Sequence, residues 1–121
     1  VKIISSVPSL DTPVCDLQTK RFNKEAANLN GVTVVTVSLD LPFAQARWCA
    51  AANANSHIVL SDYAERDFGK KFGTLIKELK LLTRAVFVLD KDNTVKYVQY
   101  VPEITNEPDY EAALKAAKSL L

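Results

Sequence analysis

Short hydrophobic runs rich in β-branched residues alternate along this chain with segments of helical periodicity, and this alternation restricts the fold that it can adopt. The clearest run is Val32–Ser38 (VTVVTVS), whose uninterrupted β-branched residues are typical of a central parallel strand buried on both faces. Further strands are predicted over Val1–Val7, Ile58–Leu60 and Ala85–Leu89, and a turn at Asp90–Asn93 leads from the last of these into a hairpin partner over Thr94–Val101.

Helices are predicted between these runs, over Cys15–Asn30, Pro42–Asn53 and Asp109–Leu121, with another from Ser61 or Asp62 to about Phe72. Asp11 and Thr12 are candidate N-caps of the first helix, and Asn30-Gly31 is expected to end it. The segment Gly73–Leu82 is ambiguous. The order β-α-β-α-β-α-β-β-α predicts an α/β three-layer sandwich of thioredoxin-like type. Its mixed, mostly parallel sheet should carry a C-terminal antiparallel hairpin.

Composition narrows the function classes. A length of 121 residues allows one domain, over residues 1–121. The net charge of +1 without a basic run argues against nucleic acid as a partner, and no apolar stretch approaches the length of a membrane span. Two cysteines and the single His57 argue against a disulfide scaffold and against a structural zinc site. Since the chain opens inside a strand and contains no methionine, we expect its N-terminal portion to be missing.

Cys15 stands where a reactive thiol is expected. It follows the first strand and the segment Pro8-Ser9-Leu10-Asp11-Thr12-Pro13-Val14, and it begins a predicted helix. Unpaired N–H groups and the positive end of the helix dipole favour a thiolate at such a position. Thr12 occupies the place where a C-x-x-C protein has its first cysteine, but its hydroxyl cannot form a disulfide. The alternative is a buried structural cysteine.

Cys49, in the predicted second helix, lies 34 residues after Cys15 (49 − 15). The two thiols could form a permanent structural disulfide. They could equally form a transient disulfide during turnover, since helices that follow neighbouring strands can present their thiols to each other. The sequence leaves both possibilities open.

Arg84 opens the predicted strand Ala85–Leu89. It is either a solvated charge at a strand end or a guanidinium directed at the Cys15 thiolate across parallel strands.

The spacing from Cys15 to Arg21 also fits the C-x5-R pattern of cysteine phosphatases. The five residues between them contain no glycine or serine and are predicted as helix, which argues against a phosphate-binding loop. His57 is interpreted as a structural or surface residue.

These residues resemble the motifs of the thiol peroxidase branch of the peroxiredoxins, the atypical two-cysteine kind found in bacteria. Pro8–Cys15 is similar to the peroxidatic P-x-x-x-T-x-x-C box, and Asp40–Cys49 to the block with the resolving cysteine. Leu81–Asp90 is similar to the block with the active-site arginine, and the resemblance extends over the whole chain. Pro13 departs from it, because the family generally has glycine at this position.

The resemblance implies that Cys15 is the peroxidatic nucleophile and Cys49 the resolving cysteine. It implies that Thr12 and Arg84 orient the peroxide and stabilise the thiolate, and that Pro8 shields the pocket. Hydrogen peroxide and organic hydroperoxides would be reduced through a Cys15 sulfenic acid and an intrachain Cys15–Cys49 disulfide. The implied reductant is thioredoxin, the implied assembly a cytoplasmic homodimer, and neither a metal nor an organic cofactor is implied.

Two other function classes fit the same residues. A thioredoxin-like disulfide oxidoreductase is disfavoured because Thr12 replaces its first cysteine. A non-catalytic redox-sensing module would use the Cys15–Cys49 pair only as a switch. The rate of reaction with peroxide separates these classes from a peroxidase.

Overall fold

The structure is a computed structural model that describes residues 1–26, 29–52, 58–103 and 105–121. Strand and helix alternate as the sequence predicts. In chain order the elements are β1 (Lys2–Ser6), α1 (Pro13–Ala26), β2 (Thr33–Ser38), α2 (Pro42–Ala51), β3 (Ile58–Ser61), α3 (Asp67–Lys71), β4 (Leu75–Ile76), β5 (Leu81–Leu82), β6 (Ala85–Leu89), β7 (Val95–Tyr100) and α4 (Tyr110–Ser119).

A five-stranded mixed sheet in the order β3-β2-β1-β6-β7 forms the centre of the described chain. The strands β1, β2 and β3 are parallel, and the β6–β7 hairpin is antiparallel. The predicted α/β thioredoxin-like fold is therefore confirmed. The ambiguous segment Gly73–Leu82 contains a separate two-stranded antiparallel pair, β4 and β5, whose strands of two residues are too short to show a hydrophobic period.

The direction of β6 corrects one expectation. One of the two interpretations of Arg84 directs its guanidinium at Cys15 across parallel strands, but β6 pairs with β1 in antiparallel register, with Ser6 opposite Ala85. The start of β6 therefore lies beside the end of β1. In a parallel pair it would lie beside the start of β1, at the edge of the sheet remote from the loop that leads to Cys15.

Both faces of the central strands are covered. On one face, residues of β1, β2 and β6 pack with α1 and α4, in a cluster that includes Ile3, Phe22, Val34, Val86 and Ala113. On the other face, Phe87 packs with Phe68 and Phe72 of α3 and its C-terminal end, which gives the third layer. The side chains of β6 alternate between the two layers, and all five of its residues are buried. This double burial fixes the register of β6.

The helices α1 and α3 begin at other residues than predicted, for local reasons. The helix α1 begins at Pro13 rather than Cys15, because Pro13 suits the first helical position and the Thr12 carbonyl accepts the first helical bond, from Asp16 N at 3.0 Å. The helix α3 is shorter than predicted because Arg66 adopts a left-handed backbone conformation (φ 57°), so the helix begins only after it. Within the described residues, α1 ends at Ala26.

The carboxylate of Asp40 joins the loop after β1 to the end of β2. Its Oδ1 accepts a hydrogen bond from Ser9 Oγ at 2.7 Å, and its Oδ2 accepts from Leu10 N and from Ser38 Oγ, both at 2.8 Å. Ser38 Oγ in turn accepts from Gln45 Nε2 of α2 at 3.1 Å. The segments that precede the two cysteine-bearing helices are therefore held to each other through one side chain.

We predict that Asp40→Ala lowers the free energy of unfolding by about 2–4 kcal/mol, because two hydroxyls and one backbone N–H lose a charged acceptor in a partly buried place. Urea unfolding monitored by circular dichroism measures the change. Asp11→Ala is the matched control, since Asp11 lies in the same loop with its side chain exposed, and it should change stability by no more than about 0.5 kcal/mol. Equal effects of the two substitutions would show that Asp40 does not hold the loop.

Candidate active site

The loop between β1 and α1 places Cys15 as the third residue of α1, in the first turn where the sequence predicted it. The loop is closed by hydrogen bonds from Thr12 N and Thr12 Oγ1 to the Ser9 carbonyl, at 3.2 and 2.9 Å. Cys15 is fully buried (0% exposed). Its thiol therefore reaches solvent only if neighbouring groups move or if a small reactant enters beside it.

Arg84 is not a solvated strand end, since only 1% of its surface is exposed. Its Nη1 donates to Gln18 Oε1 at 2.7 Å, and Gln18 Nε2 donates to Ser5 Oγ at 2.6 Å. Gln18 lies three residues after Cys15, on the same face of α1. The guanidinium at the start of β6 is therefore held against the helix that carries Cys15.

Gln18 was not singled out from the sequence, although its position contains a signal. A helix that packs on a sheet is expected to bury apolar residues one turn apart, and Cys15, Gln18 and Phe22 follow that spacing. All three are fully buried. A polar residue on such a face needs a polar partner in the core, and here the partners are Arg84 and Ser5.

A cleft of ≈ 340 Å³ lies at the start of α1, lined by Pro8, Thr12, Pro13, Val14, Arg84 and Thr105. It brings together the three residues predicted to contact substrate, which are Pro8, Thr12 and Arg84. Pro13, Val14 and Thr105 are additional lining residues. No sequence pattern points to Thr105, which follows β7. The volume lies at the small end of the usual range for ligand sites.

Cys49 lies in α2 and packs against the hydrophobic cluster that contains Cys15, together with Val7, Leu10 and Trp48. Both cysteines are free thiols. Cys49 is half-buried, and burial raises the pKa of its thiol. The structure therefore brings the two predicted redox cysteines into one cluster without joining them.

Cys15 and Arg21 lie in one continuous helix, so the C-x5-R spacing does not form a phosphate-binding loop. In the described ranges no group of three or more His, Cys, Asp or Glu residues is arranged to hold a metal ion. No helix among the described residues is long and apolar enough to cross a membrane. His57 lies outside the described residues.

We predict that Arg84→Ala lowers the free energy of unfolding by about 2–4 kcal/mol, because it leaves a cavity and removes a charged donor from the buried amide of Gln18. Guanidinium unfolding of the reduced protein measures the loss. Arg47→Ala, at an exposed arginine of α2, is the control and should stay within about 0.5 kcal/mol of the parent. A loss below about 1 kcal/mol for Arg84→Ala would contradict the buried placement.

The sequence matches the Redoxin family over residues 1–114. It is 59% identical to a thiol peroxidase of Halalkalibacterium halodurans over 121 residues, which is 100% of this chain and 73% of the relative. It is 56% identical to a thiol peroxidase of Bacillus subtilis, covering 100% of this chain and 72% of that protein.

A crystal structure of a peroxiredoxin-like protein from Aquifex aeolicus superposes with a TM-score of 0.92 at 48% identity, covering 99% of this chain and 71% of that one. The identities, the coverage and the superposition agree with the motifs at Pro8–Cys15, Asp40–Cys49 and Leu81–Asp90. The chain belongs to the Redoxin family, in the thiol peroxidase branch of the peroxiredoxins that its motifs resemble.

Proposed function

We propose that this chain reduces hydrogen peroxide and organic hydroperoxides, with Cys15 as the nucleophile that attacks the peroxide. The observation that carries the proposal is the cleft at the start of α1. Pro8, Thr12 and the buried Arg84 line it, and Val14, which also lines it, directly precedes Cys15. The names of its relatives, thiol peroxidases at 51–59% identity, support the same activity.

In the first step, the Cys15 thiolate attacks one peroxide oxygen and the O–O bond breaks. Cys15 becomes a sulfenic acid, and the departing oxygen leaves as water or an alcohol after it takes up a proton. Negative charge develops on that oxygen, and the Arg84 guanidinium in the cleft wall is placed to stabilise it. Because Gln18, itself held by Ser5, already binds the guanidinium, little reorganisation is needed when the charge develops.

In the second step, the Cys49 sulfur attacks the sulfur of the Cys15 sulfenic acid, water leaves, and an intrachain disulfide forms. The two residues share one cluster in the dithiol protein, which supports this pairing. Cys15 is buried in the first turn of α1, so that turn must open for the bond to form.

The remaining parts of the proposal follow the family resemblance. A dithiol reductant of the thioredoxin type returns the disulfide to two thiols by exchange. The chain acts as a homodimer in the cytoplasm of a bacterium. Exposed apolar side chains at the start of α2, Leu41 and Phe43, support a surface that contacts another protein chain.

The alternative functions predict different kinetics. A disulfide oxidoreductase exchanges with protein disulfides and reacts slowly with peroxide, and a sensor forms its disulfide without sustained turnover. Rapid mixing of the reduced protein with peroxide, monitored through the single tryptophan Trp48, distinguishes these cases from a peroxidase.

We predict that Cys15→Ser abolishes peroxide reduction and that Cys49→Ser stops only thioredoxin-dependent turnover. The reason is the asymmetry of the two sites, since Cys15 lies beside the cleft at a helix start and Cys49 lies near the C-terminal end of α2. In Cys49→Ser, one sulfenic acid per chain should be trapped by a dimedone-type reagent and detected by intact mass. The opposite pattern, in which Cys49→Ser loses the first oxidation and Cys15→Ser keeps it, would reverse the assignment.

We also predict that the rate of disulfide formation rises with pH and keeps rising above about 8.5, the ordinary pKa of a cysteine. The attacking species is the Cys49 thiolate, and burial raises the pKa of this thiol, so a smaller thiolate fraction is present at neutral pH. Single-turnover quench experiments between pH 6 and 10 measure the step. A plateau reached below pH 8 would show that Cys49 deprotonation does not control it.

A further inference from the structure

A hydrogen bond joins the two cysteine-bearing helices at the residues next to the cysteines. Trp48 Nε1 donates to Asp16 Oδ1 at 2.8 Å. Asp16 directly follows Cys15 in α1, and Trp48 directly precedes Cys49 in α2. The indole is almost completely buried (8% exposed) in the cluster that also contains Cys15.

Chain connectivity couples this bond to the position of both sulfurs. Successive Cα atoms are 3.8 Å apart, so Cys15 cannot leave its place without moving Asp16, and Cys49 cannot move without Trp48. The N–H of Asp16 also donates to the Thr12 carbonyl at 3.0 Å, which is the first helical bond of α1. Opening the first turn therefore displaces the carboxylate that the indole binds.

The Trp48–Asp16 hydrogen bond is expected to contribute to the free energy that stabilises the dithiol arrangement. Its acceptor is a carboxylate and its donor is largely removed from water, and hydrogen bonds to charged groups contribute more than neutral ones. The second oxygen of Asp16 pairs with Lys20 Nζ at 3.0 Å, but that side chain is half-exposed and such pairs contribute little. The Oδ1 atom of Asp16 therefore makes the contact to be tested, and its Oδ2 atom makes a weaker contact that serves as the control.

We propose that the Trp48–Asp16 hydrogen bond holds α1 and α2 in the dithiol arrangement. Its release is an equilibrium that precedes the attack of the Cys49 thiolate, so the bond lowers the rate of disulfide formation by keeping the opened fraction small. The inference rests on the proposed function, because the step it affects is the attack of Cys49 on the Cys15 sulfenic acid, which releases water. Asp16 and Trp48 are positioning residues in this scheme and do not contact the peroxide. They set how long the sulfenic acid persists, and hence how often a second peroxide oxidises it to sulfinic acid.

The test measures the two steps separately in single turnover. Reduced protein is mixed with excess hydrogen peroxide and quenched with acid at successive times. Intact mass then resolves the dithiol, sulfenic, sulfinic and disulfide forms.

Trp48→Phe removes the donor and keeps an aromatic ring in the cluster. Asp16→Ala removes the acceptor at a position that is partly exposed, so it does not depend on core packing.

We expect Trp48→Phe and Asp16→Ala each to speed disulfide formation by roughly fivefold to tenfold, with the first oxidation changed by less than about twofold. The sulfinic fraction should fall in the same proportion. The double variant should resemble either single variant, because both remove one interaction. A structural defect alone would slow the first oxidation and would not produce this selective acceleration.

Two control variants test whether the change in rate comes from the hydrogen bond between the indole and the carboxylate. Asp16→Asn keeps an acceptor oxygen for the indole but removes its charge, so disulfide formation should be slower than in Asp16→Ala and faster than in the parent. Lys20→Gln removes the ion pair on the other oxygen and should leave both steps within about twofold of the parent.

Unchanged or slower disulfide formation in Trp48→Phe and Asp16→Ala overturns this inference, as does an additive double variant. Those results leave the proposed peroxidase intact, provided that the parent protein forms sulfenic acid and disulfide. If the parent forms neither, the proposed function fails and this inference fails with it.

Discussion

The antiparallel pairing of β6 with β1 is the constraint on which the active site depends. Ser6 lies opposite Ala85, so the chain entering β6 passes beside the chain leaving β1. The first of these chains carries Arg84 and the second leads to Cys15. Both faces of β6 are buried, and a shift of one residue would exchange the side chains packed under α1 and α4 with those packed on the aromatic layer. Core packing therefore also fixes where the guanidinium lies.

A buried guanidinium is costly unless it is well bound, and the partners of Arg84 show how this cost is offset. Gln18 accepts from it, and Ser5 orients Gln18. Gln18 accepts through an uncharged amide oxygen, so this contact does not neutralise the guanidinium. Arg84 also lines the cleft, where the proposed reaction places negative charge on the Cys15 sulfur and on the departing oxygen. The same contacts that satisfy the core thus prepare the cleft for negative charge.

Features with a local cause could be predicted from the sequence, and features set by tertiary contacts could not. The strand β2, within the predicted Val32–Ser38, depends on β-branched residues, which are a local signal. The place of Cys15 in the first turn of α1 depends on a proline at a first-turn position, which is also local. The direction of β6 is decided by the path of the chain between β3 and β6, and no period in the sequence records it. The role of Gln18 and the presence of Thr105 in the cleft appear only when separate segments meet.

The two proposed chemical steps place opposite demands on one short segment. The first needs the start of α1 intact, so that Cys15 stays at the helix terminus beside the cleft. The second needs that start to open. Asp40 holds the loop at Ser9 and Leu10, upstream of the helix, and Trp48 holds Asp16 within its first turn. Release of the Trp48–Asp16 anchor can free Cys15, while the Asp40 anchor keeps the loop carrying Pro8 attached to β2. The strength of the second anchor then decides how the protein divides its time between attacking peroxide and forming the disulfide.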